Sequence, residues 1–276
     1  MCNSGWIAAA LCAVSACTAP AQQSFYQRFR SDNASMTAVQ PSWLGPLIQS
    51  DARLGQALRF SVSNSECPGA HTISYGNGHG AGIIVDRRFQ LDFDPPAFFR
   101  NHSAASPDGF GNAATQLKWR IASGNADHGN YIFTAMLWRG FAPGARQNGA
   151  DSSLWKPTLA VGKAVSHVAV ISNLGGLLPT ANIAEQGRVI TWDTTAQIHP
   201  ATHFYFDLED NAGFNRGGPF DGQTQNFLTP AAYFLVRRKN WDPAHLTIVF
   251  DGGMQLAATR FHPYNHNLVT EMRIFF

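Results

Sequence analysis

Charge is scarce in this chain. Asp, Glu, Lys and Arg together make up 14% of its 276 residues, against about 25% in an average soluble domain. Past the N-terminus no run of about 18 apolar residues occurs, which excludes helical membrane spans. Cysteine is nearly missing from the body of the chain. Of 4 Cys, Cys2, Cys12 and Cys17 lie in the leader, so Cys67 is left alone and no intrachain disulfide can form. A net charge of +2 gives no electrostatic case for nucleic acid as a partner. Aromatic residues, by contrast, are plentiful at 12%, with 20 Phe and 7 Trp. Few charges, many aromatics and no spanning helix suit apolar residues placed at alternate positions, as on the outside of a lipid-facing barrel.

The N-terminus has the form of an export signal. Ile7 to Ala16 is an apolar core, and Ala19-Pro20-Ala21 before Gln22 is a small-x-small cleavage site. Met1 to Gly5 holds no Lys or Arg, so the usual positive region is missing. Val14-Ser15-Ala16-Cys17 offers a rival site, a lipoprotein box that would leave Cys17 lipidated. The favoured organisation is a signal peptide over 1–21, a periplasmic lead-in over 22–55 punctuated by Pro41 and Pro46, and a barrel over 56–276.

Period-2 patterning recurs from there to the end. Phe89 to Asp94, Thr115 to Ile121, Phe204 to Glu209 and Leu246 to Leu256 alternate apolar and polar residues, which puts one face in an apolar environment and the other in a polar one. About twelve strands are expected, an even number typical of bacterial barrels. Their spans are 56–66, 71–77, 82–94, 113–122, 131–141, 154–164, 168–178, 188–198, 202–211, 226–237, 246–257 and 267–276. Counted back from the C-terminus, alternate connections are long and polar, and those between are mostly shorter. That is the asymmetry of extracellular loops and periplasmic turns, and a β-sandwich has no reason to keep it. The last strand ends on Phe275-Phe276. A closing barrel strand with a terminal aromatic as membrane-assembly signal has this form; a buried last strand of a soluble sheet is the competing reading.

Asp108-Gly109-Phe110-Gly111-Asn112, running into Leu117-Lys118-Trp119-Arg120-Ile121, resembles a segment of a bacterial outer-membrane barrel family of the phenol meta-pathway, transporter-like type. Gly124 to Tyr131, Pro157 to Lys163 and Asn226 to Pro230 resemble further pieces of related barrels. The resemblance implies a barrel and uptake of hydrophobic compounds. Asn112 stands where that family has aspartate, so no role for that carboxylate carries over.

On this register Asp86, Arg88, Asp92, Lys118, Arg120, Asp193, Asp207, Glu209, Asp251, Glu271 and Arg273 point into the lumen. Mixed-sign linings pass or bind small solutes; they also fill narrow barrels as structural networks. Ser166-His167 falls in an expected tight turn, a poor place for a nucleophile and its base. His262-Pro263-Tyr264-Asn265-His266 does not have zinc-site spacing, and Gly76 to Gly82 lacks the Lys and Ser/Thr of a phosphate loop. The expectation is therefore a single antiparallel up-and-down transmembrane β-barrel, all-β, without enzymatic activity, metal or cofactor. It sits in the bacterial outer membrane, with outer-membrane lipid, the barrel assembly machinery and a small-molecule solute as partners. It acts as a channel or transporter for that solute, with a closed structural or binding barrel as the alternative and a membrane-embedded hydrolase a more distant one.

Overall fold

The computed structural model describes residues 31, 33–102, 106–142, 148–237 and 246–276. Fifteen strand segments form one antiparallel sheet, and pairing of the last with the first closes it. Three pairs of segments are continuous runs interrupted by a short irregularity, so the barrel has twelve strands. These are β1 (Ala57–Cys67), β2 (Ala70–Tyr75 and Gly80–Asp86), β3 (Phe89–Asp94 and Phe98–Asn101), β4 (Gly109–Phe110 and Ala114–Gly124), β5 (Tyr131–Gly140), β6 (Leu154–Val165), β7 (Val168–Pro179), β8 (Arg188–Ala201), β9 (Phe204–Arg216), β10 (Thr224–Arg237), β11 (Thr247–Ala257) and β12 (His266–Phe275). Closure runs from Ala57 opposite Phe275 to Glu66 opposite His266. No sheet edge is left open along that seam, as hydrocarbon demands of any spanning sheet.

The expected spans hold from β4 onward to within a few residues. They fail over 71–112. The span 82–94 is not one strand: Asp86 pairs with Phe89, so Arg87 and Arg88 form a two-residue turn between β2 and β3. Apolar residues continue on both sides of that turn, and it contains no Gly, Pro or Asn to mark it. The irregularity in β2 has a different cause. Arg59 faces Gly80 and Val62 faces Tyr75, so the four residues 76–79 stand opposite two, and the two extra residues make 76–79 bulge from the ladder. Gly76 and Gly78 take φ of 87° and 94°, a region that residues with a Cβ rarely visit.

Alternation sorts the faces. Phe60, Leu117, Trp119, Trp192, Phe206 and Phe250 are exposed on the outside, along with apolar residues on the other strands. Such a continuous apolar belt is far beyond the patch a soluble monomer exposes. Both ends of the barrel's chain, Ala57 and Phe275, lie at one rim, the same rim as the two-residue turns 87–88, 166–167 and 202–203. The opposite rim carries the connections 102–108, 141–153, 180–187, 217–223 and 258–265, with 68–69 the short exception, while the rim of the chain ends also carries 125–130 and 238–246. The loop expected over 95–112 is smaller because β3 and β4 extend into it as a second, upper ladder.

The largest correction concerns the lead-in. Placed outside the barrel over 22–55 from sequence, its described part runs inside. Trp43 and Ala52 pack against Ile132, Met136, Ala160, Ala169 and Ile171 on β5–β7, while Leu44 and Leu47 pack against Tyr205, Tyr233, Leu235, Val249 and Val269 on β9–β12. Its apolar side chains avoid water here, which a solvated lead-in would not allow.

Candidate functional site

The inserted segment has no strand or helix over 40–56, so its backbone groups must find partners one by one. The barrel wall supplies them. The Glu209 carboxylate accepts from three consecutive backbone N–H groups, those of Leu47 (2.6 Å), Ile48 (3.1 Å) and Gln49 (3.1 Å). Arg273 donates to the carbonyls of Gly45 (2.7 Å) and Pro46 (3.0 Å). Gln197 both accepts from Leu44 N–H and donates to its carbonyl. Asn173 reaches Ser50 O, Thr134 reaches Ala52 O, Lys118 reaches Asp51 O, and Gln90 accepts from Gly55 N–H. Nearer the rim with the short turns, Arg120 donates to Met36 O and to Arg87 O. Side chains that would line an open pore are therefore spent on holding a plug.

Glycines in the wall admit it. A Cβ at Gly162 would lie 2.7 Å from the Trp43 ring, and one at Gly253 would lie 2.9 Å from a Leu47 methyl. Bare backbone lets the plug approach to contact at these two points.

The remaining inward charges pair with one another. Lys118 lies 3.4 Å from Asp92, Arg273 2.7 Å from Asp251 and 3.2 Å from Glu271. Asp207 accepts from the Tyr233 hydroxyl, and Asp193 from Asn211. Of the charges expected inward, Arg88 and Asp86 stand apart: the first is a turn residue, the second is the strand residue just before the turn, and both are exposed. Phe276 closes the chain at the rim, its N–H directed to Gln56 O (3.3 Å) and its carbonyl accepting from Asn33.

The plug does not fill the lumen. A cavity of about 510 Å³ runs beside it along β12, β1, β2 and β3, reaching up to Ser65, Thr72 and Tyr264. A second, of about 540 Å³, opens at the rim with the short turns, between residues 33–44 and Phe276. Both are bounded by Asp51, Arg53, Gly55 and Phe275. At that shared wall Arg53 holds Asp51 at 2.9 Å. Burial works against charge on Asp51, but Arg53 and Lys118 together outweigh it and hold its carboxyl below the ordinary value of 3.8. Higher in the cavity, burial pushes the Tyr264 hydroxyl up to about 12, so it remains a neutral donor, directed at Gln255.

Sequence reasoning missed the neutral plug contacts, Gln90, Thr134, Asn173 and Gln197. They carry no charge to draw attention and fall on the inward face of their strands, Gln90 just after the unexpected turn at 87–88. It also missed Ser61, Ser63 and Ser65, although Phe60-Ser61-Val62-Ser63-Asn64-Ser65 shows them at every second position. Ser166 and His167 are adjacent residues of a two-residue turn, Ser166 at φ 55°. Among the described residues no group of three or more His, Cys, Asp or Glu is placed to hold a metal ion.

No protein-family model matches the chain, and no curated protein matches it. Solved structures do. The NanC porin aligns with a TM-score of 0.51 at 7% identity, over 80% of this chain and 98% of that one. An outer membrane channel from Pseudomonas putida F1 aligns with a TM-score of 0.49 at 13% identity, over 85% and 100%, and OmpT, an outer membrane protein of Vibrio cholerae, with 0.34 at 7%, over 84% and 100%. The similarity to the NanC porin is one of fold alone: this chain is an outer-membrane-type β-barrel.

Proposed function

We propose that the protein is an outer-membrane channel for a small solute, with a path narrowed by its own N-terminal segment. The rim with the chain ends and short turns then faces the periplasm, and the apolar belt faces outer-membrane lipid after insertion by the barrel assembly machinery. One observation carries the reading: cavities on the two sides of the plug share Asp51, Arg53, Gly55 and Phe275 in their walls. The path runs beside the plug rather than through it. Its lining is polar, which favours a hydrated solute over the hydrophobic one that the family resemblance implies.

The closed barrel is the second reading, and the dense anchoring of 44–55 favours it. Planar-bilayer recordings separate the two. A channel gives small conductance steps in the native protein and clearly larger ones when Asp51→Ala is combined with Arg53→Ala. Silence from both proteins, with heat-modifiable gel mobility intact, leaves the closed barrel.

A further inference from the structure

The cavity beside the plug has an unusual electrical character. Eight charged side chains line it, and each has an opposite partner in the same wall: Asp51 with Arg53, Asp92 with Lys118, Asp94 with Arg59, and Glu271 with Arg273. The lining is thus neutral in sum and each of its charges has a partner, Arg273 being shared with Asp251, 2.7 Å away and outside the lining. An anion or cation entering would find no uncompensated countercharge and would lose hydration without return.

Above the ion pairs the wall is hydroxyl and amide. Ser61, Ser63 and Ser65 project inward from β1, and Thr72 and Ser74 from the adjoining part of β2, with Asn267 beside them on β12. The Ser74 hydroxyl and the Asn267 carbonyl oxygen are buried without a protein partner. Hydroxyl groups both donate and accept; Ser61, Ser65 and Thr72 already donate to Asn77 O, Thr72 O and Asn101 Oδ1, so the ladder offers a ligand the Ser74 hydroxyl as donor and the lone pairs of the others as acceptors. The bulge at 76–79 pushes Asn77 and Gly78 into the cavity from one side. Trp138 and Tyr264 add flat apolar faces with polar tips. The volume, about 510 Å³, falls within the range of small-molecule sites.

From this combination we infer that the cavity is a binding site for a small uncharged polyhydroxylated solute, of the sugar or sugar-alcohol class. Neutral paired walls reject ions, a hydroxyl ladder rejects apolar molecules, and the aromatic faces take the C–H surface of a ring. The inference rests on the reading of the lumen as a solute path, but binding is measurable without transport.

Full-length mature protein in detergent micelles is titrated calorimetrically with glucose and maltose, with gluconate and glucosamine as charged counterparts, and with phenol as an apolar probe. The sugars should bind, and both charged counterparts about tenfold or more weakly. Ser63→Val combined with Ser65→Val should weaken sugar binding about tenfold, at roughly threefold for each lost hydrogen bond, with heat-modifiable mobility unchanged. If the double variant fails to fold, Thr72→Val with Ser65→Ala repeats the measurement on smaller changes. Comparable or tighter binding of gluconate or glucosamine, binding of phenol alone, or no binding of any probe overturns the inference. Potassium chloride conductance on the same preparation keeps the two readings apart. Conductance without sugar binding removes the solute class and leaves the channel; sugar binding without conductance does the reverse.

Discussion

At the scale of single residues, the inward charges do less to select ions than to hold the chain inside the barrel. Lys118 and Arg120 show the difference. Both face inward on one strand, as a selectivity pair would, yet Lys118 spans Asp92 and Asp51 O while Arg120 bridges Met36 O and Arg87 O. Reversing both to Glu should lower the temperature at which gel mobility converts, because carboxylates would then face carbonyls and leave Asp92 unpaired. A shift in ion selectivity at unchanged stability would instead restore them to the path. Glu209→Ala removes three hydrogen bonds from one short stretch of plug. It should raise conductance and expose 44–50 to protease. Asp51 gives a pH dependence. Its pKa is lowered in the folded protein, so the pairing with Arg53 contributes fully above the ordinary value of 3.8 and is lost as pH falls through the lowered one. Conductance should therefore rise only in strongly acidic solution, and the Asp51→Asn variant should not show that rise.

At the scale of elements, period 2 was enough wherever a strand ran unbroken. Where alternation was clean, as in Phe204 to Glu209 and Leu246 to Leu256, it gave the facing, because a one-residue slip would send charge into lipid; Tyr131 to Phe141 and Val168 to Asn173 are apolar on both faces and gave a span alone. Alternation failed where elements bend. The turn at Arg87–Arg88 has no turn residue, and the break at Gly76 to Gly80 looked like the end of a strand although the ladder resumes beyond it. The plug was the deepest miss. Trp43, Leu44, Leu47 and Ile48 are apolar signals in a segment expected to be a periplasmic lead-in, but they have no period, so no element could be drawn from them. What docks them is the wall. Gly162→Val should push Trp43 out of contact, since even a Cβ there would sit 2.7 Å from the ring. Reduced Trp burial by acrylamide quenching, with barrel circular dichroism retained, would be the result; native quenching would show that the ring has room.

At the scale of the whole molecule, the barrel was legible because lipid imposes a rule that few other environments impose: every strand apolar outside, every backbone group paired, no edge. Low charge, an absent spanning helix and alternating strands already met it. The facing can be checked directly. Ile248 shares its side of β11 with exposed Phe250, and Asp251 lies on the buried side. An Arg at Ile248 should cost roughly 2–4 kcal/mol if that position lies near the bilayer midplane, and an Arg at Asp251 should bring no lipid penalty. Refolding into vesicles of defined thickness, followed by urea titration, measures both; equal costs would mean the register is wrong. The plug could not be read at this scale, since outside and lumen obey opposite rules and the sequence does not say which space an irregular segment occupies.

Arg273 lies on the closing strand, and its hydrogen bond to Gly45 joins residues 228 positions apart. The plug leads directly into β1, the strand on which β12 closes. The final seam therefore cannot form in native register without also delivering Arg273 to the plug, and the plug cannot be fully anchored until the seam forms. Insertion of the segment and completion of the cylinder become one cooperative event of very high contact order. That event is slow by the general relation between sequence separation and folding rate.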